Sequence, residues 1–167
     1  IEFGKDKSKY MAIGDKKINQ NFNLGDLVIE TVTQYKYLGE ILSETKSLTN
    51  HLDEVRRKTE AAYQTILMIS GNKELSGVEM KTIWKLLETC IIPIITYGSE
   101  TWNPKPKEKD KANKILDGII KRILMTPITT PREVLYLETG FLDVMHHAEM
   151  KQFMTHNRLE RTKNKLI

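Results

Sequence analysis

Tyr35-Lys36-Tyr37-Leu38-Gly39-Glu40-Ile41-Leu42 divides the chain in two. Short runs of β-prone residues precede it, and helical spacing of apolar residues follows it. Read as one strand, it puts Tyr35, Tyr37, Gly39 and Ile41 on one face and Lys36, Leu38, Glu40 and Leu42 on the other. Gly39 has no side chain, so a second backbone or a ligand can come close there. The plainer alternative is an edge hairpin with a bulge at Gly39. Either way the stretch anchors a helical part to a small sheet.

Upstream, Lys9–Ile13 is a candidate strand ended by Gly14-Asp15, and Asn19–Leu24 is a weaker one ended by Gly25-Asp26. Val28, Ile29 and Val32 continue in β-prone character. These pieces suggest a small antiparallel meander, which needs helices packed on it to be stable.

Downstream, Ser43–Asn50 is a polar connector and Thr49 or Asn50 is a helix cap. Asp53 and Glu54 suit the first turn, where the helix dipole favours anions. Leu52, Val55, Thr59, Ala62, Ile66 and Ile69 form one stripe, and Gly71-Asn72 ends the helix. Ser76-Gly77-Val78-Glu79 has the form of a capping box. The helix behind it carries Met80, Ile83, Trp84, Leu87, Cys90 and Ile91 inward. Pro93 predicts a kink near Cys90, because it removes a backbone donor and crowds the preceding turn. This segment is apolar nearly all round, which predicts the most buried helix of the chain. A third helix is expected over 109–124, with Ala112, Ile115, Leu116, Ile119, Ile120 and Ile123 inward. Thr130-Pro131-Arg132-Glu133 predicts a short helix burying Val134, Leu135 and Leu137 and stopped by Gly140. Asp143 caps a last helix through Leu159, with Met145, Ala148, Phe153 and Leu159 as a thin apolar pattern and a basic tail behind it. The fold class is therefore α+β and mainly α: a small antiparallel β-meander, then a bundle of about five helices.

Composition sets the outer limits. Of 167 residues, 40% are hydrophobic and 29% charged, which fits a globular chain with a real core rather than a disordered one. No apolar run reaches membrane-spanning length, so no membrane partner is expected. The chain starts at Ile1, which suggests a segment of a longer protein. A single cysteine, Cys90, builds neither a disulfide framework nor a zinc site; it reads as a small buried hydrophobe. The net charge of +4 permits a polyanionic partner.

Four blocks in order carry a resemblance. They are Phe3-Gly4-Lys5-Asp6-Lys7-Ser8-Lys9-Tyr10-Met11; Tyr35-Lys36-Tyr37-Leu38-Gly39; Pro93-Ile94-Ile95-Thr96-Tyr97-Gly98-Ser99-Glu100-Thr101-Trp102; and Thr130-Pro131 with Leu137-Glu138-Thr139-Gly140. Together they resemble the reverse transcriptases of non-LTR (LINE-like) retrotransposons, in the region after the catalytic aspartates. The resemblance implies a palm-like end over 1–43, with a primer-grip-like block at Tyr35–Gly39. It implies a helical thumb over 44–167 that holds a template–primer duplex of RNA and DNA. The other implied partner is the fingers and palm portion of the polymerase. It also implies a nuclear, intracellular setting.

Polymerases of that kind hold two metal ions on palm carboxylates that include an adjacent Asp-Asp pair. No such pair occurs in this sequence, and Asp53-Glu54 reads as helix capping. The chain is therefore expected to lack catalysis of its own and to need no cofactor; Mg²⁺ would belong to the full polymerase. His146 and His147 are adjacent, so on a helix they point about 100° apart and chelate poorly. The candidate nucleic-acid contacts are Lys36, Tyr37 and Gly39 in the first block, Arg56, Arg57 and Lys58 on the first helix, and Lys121 and Arg122 on the third. A basic helix face neutralises phosphates and releases counterions. An aromatic such as Tyr37 stacks on a base or sugar. The competing reading is a helical structural or protein-interaction module whose cations are solvated or paired along the helix, as in Asp53–Arg57.

Overall fold

A computed structural model describes residues 8–14, 22–25, 27–69 and 77–163. The chain is α+β and mainly helical, and it forms two compact units, Ile1–His51 and Leu52–Ile167.

Among the described residues, the first unit holds five short strands: β1 (Lys9–Tyr10), β2 (Phe22–Leu24), β3 (Leu27–Thr31), β4 (Gln34–Tyr37) and β5 (Glu40–Ser43). β2 and β3 are antiparallel, with Phe22 opposite Ile29. β1 runs parallel to β3, with Lys9 opposite Glu30, so the meander is mixed rather than wholly antiparallel. A Lys9–Glu30 ion pair and the Tyr10 and Phe22 rings, 4.1 Å between centroids, join these strands.

The stretch is the hairpin β4–β5, the plainer of the two readings, and not one continuous strand. Tyr35 pairs with Leu42, Lys36 with Ile41 and Tyr37 with Glu40. No residue is bulged out. Leu38 and Gly39 are a two-residue turn with φ of 47° and 90°. Positive φ at both positions gives the twist that matches paired strands. The reversal also re-sorts the faces. Residues directly opposite share a face, so Tyr35 and Tyr37 lie with Leu42 and Glu40, and Lys36 lies with Ile41. The Ile41 amide of the hairpin donates to Nδ1 of buried His51, the last residue of this unit, at 3.3 Å.

Helices dominate the second unit. α1 spans Thr49–Ile69, and its start is tied by the Thr49 amide donating to Ser47 Oγ at 3.2 Å. Its buried stripe is Leu52, Val55, Thr59 and Tyr63. Tyr63 is buried where Ala62 is expected, Ala62 and Ile66 are half-buried, and Ile69 is exposed. The expected end at Gly71-Asn72 and the cap at Ser76 lie outside the described residues.

α2 (Met80–Leu86), a single π-turn (Leu87–Ile91) and α3 (Ile92–Ile95) form one distorted helix. The Ile92 amide reaches back five residues to the Leu87 carbonyl. Pro93 has no amide hydrogen to extend the ordinary ladder, and the wider turn absorbs that loss. The extra residue shifts the phase of the helix. Cys90, expected inside, is exposed, while Leu87, Ile91, Ile92 and Ile95 stay buried. Met80 at the start is exposed too.

The most buried helix is α4 (Pro106–Ile123), not the segment before Pro93. All six of its expected inward residues are buried, together with Asn113 and Asp117. Pro106 occupies the first turn, and Glu108 Oε2 accepts from the Lys105 amide at 2.9 Å, so the helix starts three residues earlier than its apolar spacing indicates. Trp102 is buried, and the short 3₁₀ turn Ser99–Thr101 before it packs against the last helix.

α5 (Arg132–Thr139) is capped by Pro131 without a side-chain bond, so the box expected at 130–133 does not form. Of its apolar residues only Leu135 is buried; Leu137 is 83% exposed and Val134 is exposed as well. With two turns the helix can turn only a narrow stripe inward, and polar groups of α4 fix which one. Arg132 Nε donates to Asp117 Oδ2 at 2.8 Å, Arg132 Nη2 to Asp110 Oδ1 at 3.2 Å, and Tyr136 Oη to Asp117 Oδ1 at 2.6 Å. Burial pushes the Tyr136 hydroxyl far above its usual range, and its bond to Asp117 adds to that. Gly140 ends the helix at φ 69°, as its position implies.

α6 (Val144–Lys163) is seated by its first turns. Asp143 Oδ1 accepts from the His146 amide at 2.7 Å, and Asn113 Oδ1 of α4 accepts from the Met145 amide at 3.2 Å. Farther along, Gln152 Nε2 donates to the carbonyls of Ser99 and Trp102 at 3.0 and 2.8 Å, and Lys151 Nζ to that of Thr96 at 2.9 Å. Beyond that point no described residue of the helix is fully buried: Phe153 and Leu159, expected inward, are exposed. Asn113→Ala removes a buried partner from an amide at a helix start. It is expected to lower unfolding free energy by about 1–2 kcal/mol, read by urea denaturation.

Candidate nucleic-acid interface

α1 and α4 share a groove of about 1070 Å³ within the second unit. Two ion pairs join its walls. Lys111 Nζ meets Asp53 Oδ2 at 2.7 Å, and Arg122 meets Glu60 through two bonds of 2.6 and 2.7 Å. The α1 wall presents Asp53, Arg56, Arg57 and Glu60. Helix geometry puts these on one face, three or four residues apart. The α4 wall presents Lys114, Lys121 and Arg122, again at helical spacing. Five cations therefore face two carboxylates.

Of the candidate contacts on helices, Arg56, Arg57, Lys121 and Arg122 come together in this groove. Lys58 does not line it, because it stands about 100° around the helix from Arg57. Lys36, Tyr37 and Gly39 lie on the β4–β5 hairpin of the first unit, with Tyr37 58% exposed. Lys114 also belongs to the groove and is paired with Asp110 at 2.7 Å.

The groove cations differ in their tethers. Arg57 forks onto Glu54 at 2.8 and 2.9 Å along its own helix. That pairing, rather than Asp53–Arg57, is the one formed; Asp53 reaches Lys111 instead. Arg122 lies 4.5 Å over the Tyr63 ring while it holds Glu60. The hydrogen bonds from Arg122 pull the Glu60 carboxyl down to about 2, against the opposing effect of its partial burial. Glu60 thus stays ionised at any ordinary pH, and the groove's excess of positive charge does not depend on it titrating. Lys121 Nζ donates to the Ile128 carbonyl at 2.6 Å and so ties down the loop after α4.

Gly118 sits in the α4 wall with helical backbone, and a Cβ placed there would meet no atom within 4 Å. Glycine in a helix costs conformational entropy without giving contacts in return. Gly118→Ala is expected to raise unfolding free energy by about 0.5–1 kcal/mol, seen as a higher denaturation midpoint with an unchanged slope.

Among the described residues, no group of three or more His, Cys, Asp or Glu side chains is placed to hold a metal ion. No described helix is long and apolar enough to cross a membrane. No family model, curated protein or solved structure matches this chain.

Proposed function

We propose that the chain grips nucleic acid, with the α1–α4 groove as its phosphate track. The observation that carries this reading is the cluster of Arg56, Arg57, Lys114, Lys121 and Arg122, which outnumbers the lining carboxylates Asp53 and Glu60 even with Glu54 and Asp110 paired to Arg57 and Lys114 beside it. A strand laid along the groove exchanges its counterions for these side chains, so binding is salt-dependent and tolerant of sequence. The exposed ion pairs inside the groove are no obstacle. Exposed pairs of this kind add little to stability and can exchange a carboxylate for a phosphate. Arg forks suit phosphate as well as carboxylate.

The resemblance to non-LTR retrotransposon reverse transcriptases gives this activity a setting. The second unit would act as a thumb holding an RNA–DNA template–primer duplex in the nucleus. Lys36, Tyr37 and Gly39 would meet the primer end. Polymerisation would be done by fingers and palm residues with their Mg²⁺, and this chain would contribute positioning only.

The pairing of Arg57 with Glu54 and of Arg122 with Glu60 favours one rival, a helical protein-interaction module with internally satisfied cations. Titration of a labelled RNA–DNA duplex with the chain at low salt separates the two. Saturable binding that salt weakens is expected. No binding at low salt would refute the nucleic-acid reading and leave the rival.

A further inference from the structure

Two exposed apolar side chains stand at the lip of the cationic groove. Met125 is 66% exposed and Ile128 is 89% exposed, and both border it. The loop that carries them is tied down at several points. The Met125 amide donates to the Arg122 carbonyl at 3.3 Å, that of Thr126 to Lys121 at 3.0 Å, and that of Thr130 to Pro127 at 3.0 Å. Lys121 Nζ adds its bond to the Ile128 carbonyl. Met125 closes the end of α4 with φ of 52°. That position ordinarily takes glycine, because a side chain there is strained. The chain therefore bears a backbone cost to hold an apolar side chain in solvent beside five cations. Its own core gains nothing from it.

We propose that Met125 and Ile128 are an apolar wedge that packs against an unstacked nucleobase. The ligand of the groove is then a nucleic acid with unpaired bases next to its duplex, rather than an uninterrupted duplex. The inference rests on the reading of the groove as a phosphate track. Charge selects a polyanion as the occupant. The apolar lip selects one whose uncharged ring faces are open to contact, which a fully paired duplex does not offer. Methionine and isoleucine are among the side chains that proteins wedge against bases, and apolar contact with a ring face asks for no particular base.

The test uses the full chain with two probes, a blunt RNA–DNA duplex and the same duplex ending in unpaired bases. The native chain is expected to prefer the second by about tenfold. Met125→Gly combined with Ile128→Ser is expected to abolish that preference. The same variant should keep the native affinity for the blunt duplex and its salt dependence. Met125→Gly alone should unfold at no lower urea concentration than the native chain, since glycine relieves the turn. A native chain that binds both probes equally would overturn the wedge, as would a double variant that keeps the preference. Binding of neither probe would instead overturn the phosphate track beneath it. Displacement of the probe by an acidic helical peptide, with the same dependence on Met125, would show that the lip serves a protein.

Discussion

Asp117→Ala is expected to lower unfolding free energy by about 3 kcal/mol, one of the largest effects of any polar substitution in the chain. Asp117 is buried, and each of its carboxylate oxygens takes one bond from α5, from Arg132 Nε and Tyr136 Oη. Leu135 is the only buried apolar residue of that helix. Removing the carboxylate leaves a partly buried guanidinium and a hydroxyl without their shared acceptor. Arg132 retains only its bond to Asp110. Asp117→Asn keeps an acceptor for one of the two donors and is expected to cost about half as much. Urea denaturation of both variants checks this. Equal and small costs, within about 0.5 kcal/mol of zero, would mean that α5 docks by apolar contact instead.

The second large effect concerns binding. Replacing Arg56 and Arg57 together by glutamate changes the groove's charge balance by four, on the wall where the two side chains face the opening. Affinity for an RNA–DNA duplex at low salt is expected to fall about a hundredfold. Both residues are exposed, and their aliphatic stems bury nothing in the core, so the unfolding midpoint should move little. The same exchange at Lys58, which lies off the groove, is expected to weaken binding far less. Equal effects at Arg56–Arg57 and at Lys58 would mean that general positive charge, and not the groove, attracts the ligand.

The helical part was legible from spacing wherever apolar residues recur without interruption. α4 is the clearest case: its six inward residues follow from spacing alone, although its Pro-led start lies three residues before the expected one. Three features defeated pattern. The β4–β5 reversal places Leu38 in the left-handed region, where Asn or Gly would have marked a turn, so alternation appeared to run straight through Gly39. The π-turn before Pro93 moved the helix phase by one residue and carried Cys90 to the surface. α5 and the distal half of α6 carry apolar residues that the fold leaves uncovered, and composition does not distinguish those from core.

The candidate interface was legible only as separate pieces. Arg56–Arg57 and Lys121–Arg122 stand out as basic pairs, but they are more than sixty residues apart, and only tertiary structure brings them to one groove. Glu60 and Tyr63, which hold and cover Arg122, have no local signature. Nor do Gly118, Met125 and Ile128. A glycine inside a helical pattern and two apolar residues in a loop look unremarkable until the groove beside them is seen.

The most direct measurement is the slope of the logarithm of duplex affinity against the logarithm of salt concentration, for the native chain and for the Arg56→Glu, Arg57→Glu variant. Each phosphate contact contributes roughly one unit to that slope. A steep native slope that becomes shallower by about two units in the variant is the expected result. Identical slopes, or a native slope near zero, would show that the α1–α4 groove does not carry the nucleic-acid backbone.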